Sequence, residues 1–119
     1  MQKFNIVIGC DCDPDRKVFN KYASNMISWD GLKIGIKSFR VNRKKFFDET
    51  GLWPKITWFV RSDIQIKALC GSSGYCLEAF RDLWDQLLDE GDEIAWHPHL
   101  YFWDNAVNQW VQKIDDETF

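Results

Sequence analysis

Three short apolar runs, separated by segments with helical periodicity, constrain the fold of this chain most. The first two runs lie at residues 3–10 and 55–60, and the third is Ile94-Ala95-Trp96 within 91–101. They contain β-branched and aromatic residues. Between them, apolar residues recur with helical spacing from about 32 to 50 and from 77 to 90. This order predicts an α/β fold, a parallel βαβαβ unit with right-handed crossovers.

Length and composition are those of one ordinary globular domain spanning residues 1–119, with 45% apolar and 28% charged residues. The net charge of −3 disfavours a nucleic-acid partner. A local basic cluster is expected on the solvated face of a helix: Arg40, Arg43, Lys44 and Lys45.

We find neither a membrane span nor a signal peptide, so we expect a cytoplasmic protein with reduced cysteines. Two of these thiols, Cys70 and Cys76, lie in or beside a flexible connector predicted at 64–75.

Each predicted strand is followed by side chains that can perform chemistry. They are Asp11 and Asp13 after the first strand, Arg61 and Asp63 after the second, and His97 and His99 after the third. In parallel α/β folds the site lies at the carboxyl ends of the strands. We therefore expect these three pairs to converge on one pocket, in which Arg61 or Asp63 steers Asp11.

The two histidines of the chain stand together in the segment His97-Pro98-His99. Side chains alternate along an extended chain, which places Glu93, Ala95 and both histidines on one side. Two imidazoles and a nearby carboxylate would make an open site for a divalent metal. The alternative is a pair of ordinary half-buried histidines on a loop.

The first strand has two unequal faces. The bulky face carries Phe4, Ile6, Ile8 and Cys10. The small face carries Asn5, Val7, Gly9, Asp11 and Asp13. We predict that the bulky face packs against helices and that the small face lines a barrel interior or a crowded ligand pocket.

The chain resembles the N-terminal half of the polysaccharide deacetylases, carbohydrate esterase family 4. The resemblance is carried by the acidic pair, by the strand Lys-Ile-Thr-Trp-Phe-Val at 55–60, and by Gly-Asp-Glu-Ile-Ala-Trp-His at 91–97. It implies the first half of a distorted (β/α) barrel that removes acetyl groups from N-acetylated sugars with a divalent metal. By the same resemblance, Asp11 is the general base, while Asp13 and His97 are metal ligands.

The family's second metal histidine would fall four residues after His97, where this chain has Tyr101. We predict that His99 replaces it, because i and i+2 share a face in an extended segment. Zinc is the expected ion, and Arg61, Asp63 and Tyr101 are the candidates for lining the pocket. The substrate implied by the resemblance is an N-acetylated carbohydrate or a related small amide.

The family's later motifs lie beyond the part of the barrel that this chain resembles. Three parallel strands would leave two open edges, so we expect a homo-oligomer or a partner that supplies the missing half. The aromatic residues expected at that contact are Trp58, Phe102, Trp103 and Trp110. Alternatively, residues 103–119 fold back over the open face. The segment after His99 is compatible with a hairpin turning at Asp104 and Asn105, or with a short helix.

Two other functions fit the same residues. In a haloacid-dehalogenase-type phosphatase, whose first strand also ends in Asp-x-Asp, Asp11 would be the phosphorylated nucleophile, Asp13 the acid and magnesium the cofactor. That fold has no use for His97 and His99. A non-catalytic half-barrel that binds a partner or a carbohydrate is the third candidate.

Overall fold

A parallel three-stranded sheet organises the computed structural model, which describes residues 5–15 and 28–112. Its strands are β1 (Gly9–Cys12), β2 (Thr57–Arg61) and β3 (Glu93–His97), paired in the order β1-β2-β3. Both pairings are parallel. The predicted α/β class and the three parallel strands are therefore confirmed.

Helix α1 (Asp30–Thr50) connects β1 to β2 and agrees closely with the helix expected from about 32 to 50. It ends at Gly51, whose φ of 71° is left-handed and whose N–H donates to the carbonyl of Phe47. A residue without Cβ adopts this conformation without steric cost. The glycine therefore ends the helix where its position in the sequence predicted.

The connection from β2 to β3 is more helical than expected. Residues 64–75, predicted to be a flexible connector, begin with helix α2 (Ile64–Cys70). The single helix predicted at 77–90 is instead two, α3 (Tyr75–Ala79) and α4 (Arg81–Asp89), with a break at Phe80. Asp63 explains α2, because its carboxylate accepts a hydrogen bond from the N–H of Ile66 and caps the helix.

After β3 the chain forms a separate hairpin, with β4 (Tyr101–Asp104) antiparallel to β5 (Gln109–Gln112). Of the two alternatives for this segment, the hairpin is correct. The rings of Trp103 and Trp110 meet edge to face across it, with centroids 5.6 Å apart. Residues 113–119, part of the proposed fold-back segment, lie outside the described residues.

The core lies between the sheet and its helices. From the sheet and the residue just before β2 it contains Cys12, Ile56, Trp58 and Val60, and from the helices Ile36, Ile66, Cys76, Trp84 and Leu87. Trp58 is 2% exposed and meets Phe39 edge to face at 5.4 Å. Placing Trp58 at an intermolecular contact was therefore wrong, because its indole is buried within its own chain.

The bulky face of β1 is only partly used. Cys10 packs against the core and Cys12 belongs to it, whereas Ile6 and Ile8 are 85% and 37% exposed. The strand begins at Gly9, so Ile6 precedes the paired region that the helices cover. Phe4 lies outside the described residues. The predicted burial of Ile6 and Ile8 is therefore wrong, although Cys10 does point to the helices.

The basic cluster on α1 is not uniformly solvated, because Arg43 is only 2% exposed. Its guanidinium donates to the carboxylate of Asp92 over 2.5 Å and also forms an ion pair with Glu90. The same group lies over the rings of Phe39 and Trp53, at 4.8 and 4.7 Å from their centroids. This arginine belongs to a buried network beneath the sheet.

The helices within residues 5–15 and 28–112 pack on one face of the sheet and leave the opposite face without a helical layer. Phe59 lies so close to Gly9 that a Cβ there would stand 2.8 Å from the phenyl ring. Gly9 therefore permits Phe59 to cover β1 on this face, in keeping with the small face that was predicted.

None of the helices in the described ranges combines the length and apolar character needed to cross a bilayer.

Candidate metal centre

Three ligand-type side chains meet at the carboxyl end of the sheet. Asp13 directly follows β1, His97 ends β3, and His99 lies two residues further on. One ligand atom from each lies within 4.8 Å of the other two. Within residues 5–15 and 28–112 this is the one such group of three or more acidic, histidine or cysteine side chains. The parallel sheet has thus brought together residues more than 80 positions apart.

The distances among these atoms suit a small cation. Nε2 of His97 lies 2.9 Å from Nε2 of His99, which in turn lies 3.7 Å from Oδ1 of Asp13. Two nitrogens bound to one tetrahedral zinc at about 2.0 Å would stand ~3.3 Å apart. The separation of the two imidazole nitrogens is therefore within a few tenths of an ångström of that value. Without an ion, one imidazole must donate a proton to the other at this separation.

The charge of the pocket also favours a divalent cation. Among the residues that the structure describes, three carboxylates surround the imidazoles, those of Asp11, Asp13 and Asp63, and the guanidinium of Arg61 offsets one of them. With ionised carboxylates and neutral imidazoles, the net charge is −2. Burial, followed by the nearby Arg61 guanidinium, lowers the pKa of His99 against the opposing charge of Asp13. The lowered pKa keeps this imidazole in the neutral form that binds metals.

Asp11 lies on the open face of the sheet and is turned toward His97. Its side chain is 64% exposed, and its Oδ1 is 3.8 Å from Nδ1 of His97. That distance is too long for a hydrogen bond but short enough for electrostatic attraction between the carboxylate and an N–H at Nδ1. A carboxylate beside Nδ1 favours the tautomer with its proton there, which leaves the Nε2 lone pair directed at His99 and available to a metal. Asp11 is thus placed both to orient His97 and to receive a proton from water.

Arg61 and Asp63 both lie beside the candidate ligands. Nε of Arg61 donates to Asp63 over 2.7 Å, and its Nη1 donates to Asp13 over 3.3 Å. Asp63 also accepts the backbone N–H of His99 over 3.0 Å. Arg61 thus contacts Asp13 and Asp63 contacts His99, whereas the sequence led us to expect that one of them would steer Asp11.

Gln65 is a neighbour of the site that sequence reasoning missed. It is 3% exposed, and its side-chain oxygen accepts a hydrogen bond from Nη2 of Arg61. Gln65 lies in the first turn of α2, and it was missed because residues 64–75 were predicted to be a flexible connector rather than to begin with a helix. Tyr101, the remaining pocket candidate, lies against His99 with ring centroids 6.1 Å apart.

The four cysteines are free thiols and lie outside the metal group. Burial raises the pKa of Cys76 to about 12 and raises that of Cys12 further. Burial also raises the pKa of Cys70. These three thiols stay protonated at neutral pH and are poor metal ligands and nucleophiles.

Comparison with known proteins gives no family model, no curated protein and no solved structure that matches this chain.

Proposed function

We propose that this protein is a metal-dependent hydrolase that removes acetyl groups from N-acetylated sugars or related small amides. The observation that supports this best is the clustering of Asp13, His97 and His99 within 4.8 Å, with Asp11 beside His97. Two imidazoles and one carboxylate leave coordination positions for water and substrate, as hydrolytic zinc sites do. Zinc is the ion we propose. A divalent ion bound there would polarise the acyl oxygen and acidify water.

Within this proposal, the chain's own residues hold and orient the reacting groups. Asp13, His97 and His99 would bind the ion. The carboxylate of Asp11 is solvent-accessible, so it can take a proton from the attacking water as general base. Asp11 also lies against Nδ1 of His97 and favours the tautomer whose Nε2 is free for the ion. The open face of the sheet beside Asp11 would admit the acetylated substrate.

The barrel architecture is part of the same proposal. Three parallel strands with helices on one face and a polar cluster at their carboxyl ends would form about half of a (β/α) barrel. The small-residue face of β1, with Gly9 beneath Phe59, would then point to the barrel interior.

Acetate release tests the proposed activity. Purified protein loaded with zinc should release acetate from an N-acetylglucosamine oligomer, measured by an enzyme-coupled assay. Asp11→Asn should lower kcat by about 10²–10⁴-fold, the usual contribution of a general base. Asp48→Asn, at an exposed acid on α1, serves as control and should leave the rate unchanged. Equal rates for Asp11→Asn and wild type would contradict the assigned role.

The phosphatase alternative makes a different prediction from the same residues. It requires phosphate release from a generic ester with magnesium, and activity that survives loss of His97. The closeness of His97 and His99 to the two aspartates favours the hydrolytic metal site over it. Zinc binding without release of either product would identify the non-catalytic carbohydrate- or partner-binding module.

We also propose that a second copy, or a partner chain, covers the open side of the sheet. In the described part of the chain, β1 and β3 are edge strands, each with an unpaired row of backbone groups. Phe59 and Ala95 lie on the uncovered face, and parallel sheets are usually covered on both faces. Light scattering at low micromolar concentration should therefore give a mass of at least twice 14.1 kDa. A stable monomer with cooperative unfolding would refute self-assembly.

A further inference from the structure

We propose that Asp63 is a positioning residue that, with Arg61, sets the geometry of the metal centre from outside it. This rests on the metal site proposed above. The side chain of Asp63 is 5% exposed and accepts hydrogen bonds from three parts of the chain. Its Oδ1 accepts from the N–H of Ile66, and its Oδ2 accepts from Nε of Arg61 and from the N–H of His99. The carboxylate thus joins the end of β2, the start of α2 and the turn after β3.

The bond to the His99 backbone holds the second imidazole in place. β3 ends at His97, so His99 lies beyond the sheet pairing. Asp63 accepts the His99 N–H over 3.0 Å, in a charge-assisted bond that is stronger than a neutral one. This bond anchors the residue whose Nε2 lies 2.9 Å from that of His97.

A second arm of the same network reaches the carboxylate ligand. Arg61, 2% exposed, spans from Asp63 to Asp13, and Gln65 accepts from its remaining nitrogen. The Oδ1 atom of Asp13 that Arg61 contacts is also the atom 3.7 Å from Nε2 of His99. A planar guanidinium held by several acceptors has little freedom to rotate. Asp63 therefore acts on His99 directly and on Asp13 through Arg61.

Asp63 has two separable tasks, and Asp63→Ser distinguishes them. Serine is as good an N-cap as aspartate, so its hydroxyl can accept the N–H of Ile66 and retain α2. Its single oxygen cannot also accept the hydrogen bonds that Asp63 receives from Nε of Arg61 and from the N–H of His99. Arg61→Lys complements this variant, because it keeps the positive charge but loses the planar fork that reaches Asp13.

The experiment measures zinc affinity by competition with a chelating dye, and hydrogen exchange of the His99 amide in metal-free protein by NMR. Asp63→Ser should weaken zinc binding by about 10–100-fold, the usual effect of losing a partner that orients a ligand. It should also speed exchange at His99 by at least tenfold. Arg61→Lys should weaken zinc binding while His99 stays protected. Asp82→Ser, at an exposed acid in the first turn of α4, is the matched control and should change neither quantity.

The outcomes separate this proposal from the proposed function. If the wild type binds no zinc, the proposed function is overturned and the positioning role with it. If the wild type binds zinc and Asp63→Ser binds it equally well, the positioning role alone is overturned. If Asp63→Ser fails to fold, the zinc affinity of Arg61→Lys is the test. An affinity equal to that of the wild type in Arg61→Lys would overturn the proposal.

Discussion

Replacing Asp92 by alanine is expected to lower the free energy of unfolding by about 3–5 kcal/mol, the cost of breaking a buried ion pair. The Asp92 carboxylate is fully buried, as is the guanidinium of Arg43 that donates to it over 2.5 Å. It also accepts from the N–H of Ile56 over 3.1 Å and from Nε1 of Trp58 over 3.0 Å. The variant would leave the buried Arg43 guanidinium with only one of its two carboxylate partners, Glu90, and would leave two donors without their acceptor. Domains of this size are usually stable by about 5–15 kcal/mol, so the loss is large.

Urea unfolding of wild type, Asp92→Ala and Asp89→Ala measures this effect. Asp89 is an exposed acid near the end of α4, and its replacement should change stability by less than about 0.5 kcal/mol. A double-mutant cycle with Arg43→Met adds a second check. Methionine removes the stranded charge, so it should cost less in the Asp92→Ala background than in the wild type. A cost below about 1 kcal/mol for Asp92→Ala would contradict the central role of this carboxylate.

Zinc is expected to stabilise the wild type strongly and to have no such effect once His97 is replaced by alanine. A ligand that binds only the folded state adds about 4.1 kcal/mol at a free concentration 1,000 times its dissociation constant. His97 supplies one of the three groups that meet at the site, and its loss leaves only Asp13 and His99. Thermal unfolding with buffered zinc, and again after adding a chelator, measures the gain and its reversal.

Elemental analysis of the same samples gives a second readout. Zinc should be bound at one ion per chain by the wild type and lost in His97→Ala and in Asp13→Ala. Asp48→Ala, at an exposed acid on α1 that pairs with Lys44, should keep the wild-type stoichiometry. If His97→Ala and Asp13→Ala both keep the wild-type zinc stoichiometry, the ion binds at another place in the protein.

Much of the candidate site could be predicted because it depends on short-range rules. The two histidines share a side because i and i+2 do so in an extended chain. They lie near Asp13 because the carboxyl ends of parallel strands meet at one edge of the sheet. Neither inference needs the side-chain packing. The resemblance to the deacetylases indicated His97 as a ligand, and the i+2 rule added His99. In the structure the imidazole of His99 lies beside that of His97.

The errors have different origins, and one of them, the burial of Arg43, depends on contacts between distant residues. Arg43 was expected in solvent because arginines usually are, yet it is buried by acids 47 and 49 residues later in the chain. α2 was missed because its N-cap was assigned to the pocket rather than to a helix. β1 begins at Gly9, later than its apolar run suggested.

The sequence by itself determined the three parallel strands, the end of α1 at Gly51 and the three polar pairs at the carboxyl ends of the strands. These properties reside in periodicity, caps and glycine positions, which act over a few residues. Only the tertiary structure decided that Asp63 would reach the backbone of His99 and that Arg61 would reach Asp13. Hydrogen bonds across 36 and 48 residues depend on how strands and helices pack, and local patterns carry no information about that packing.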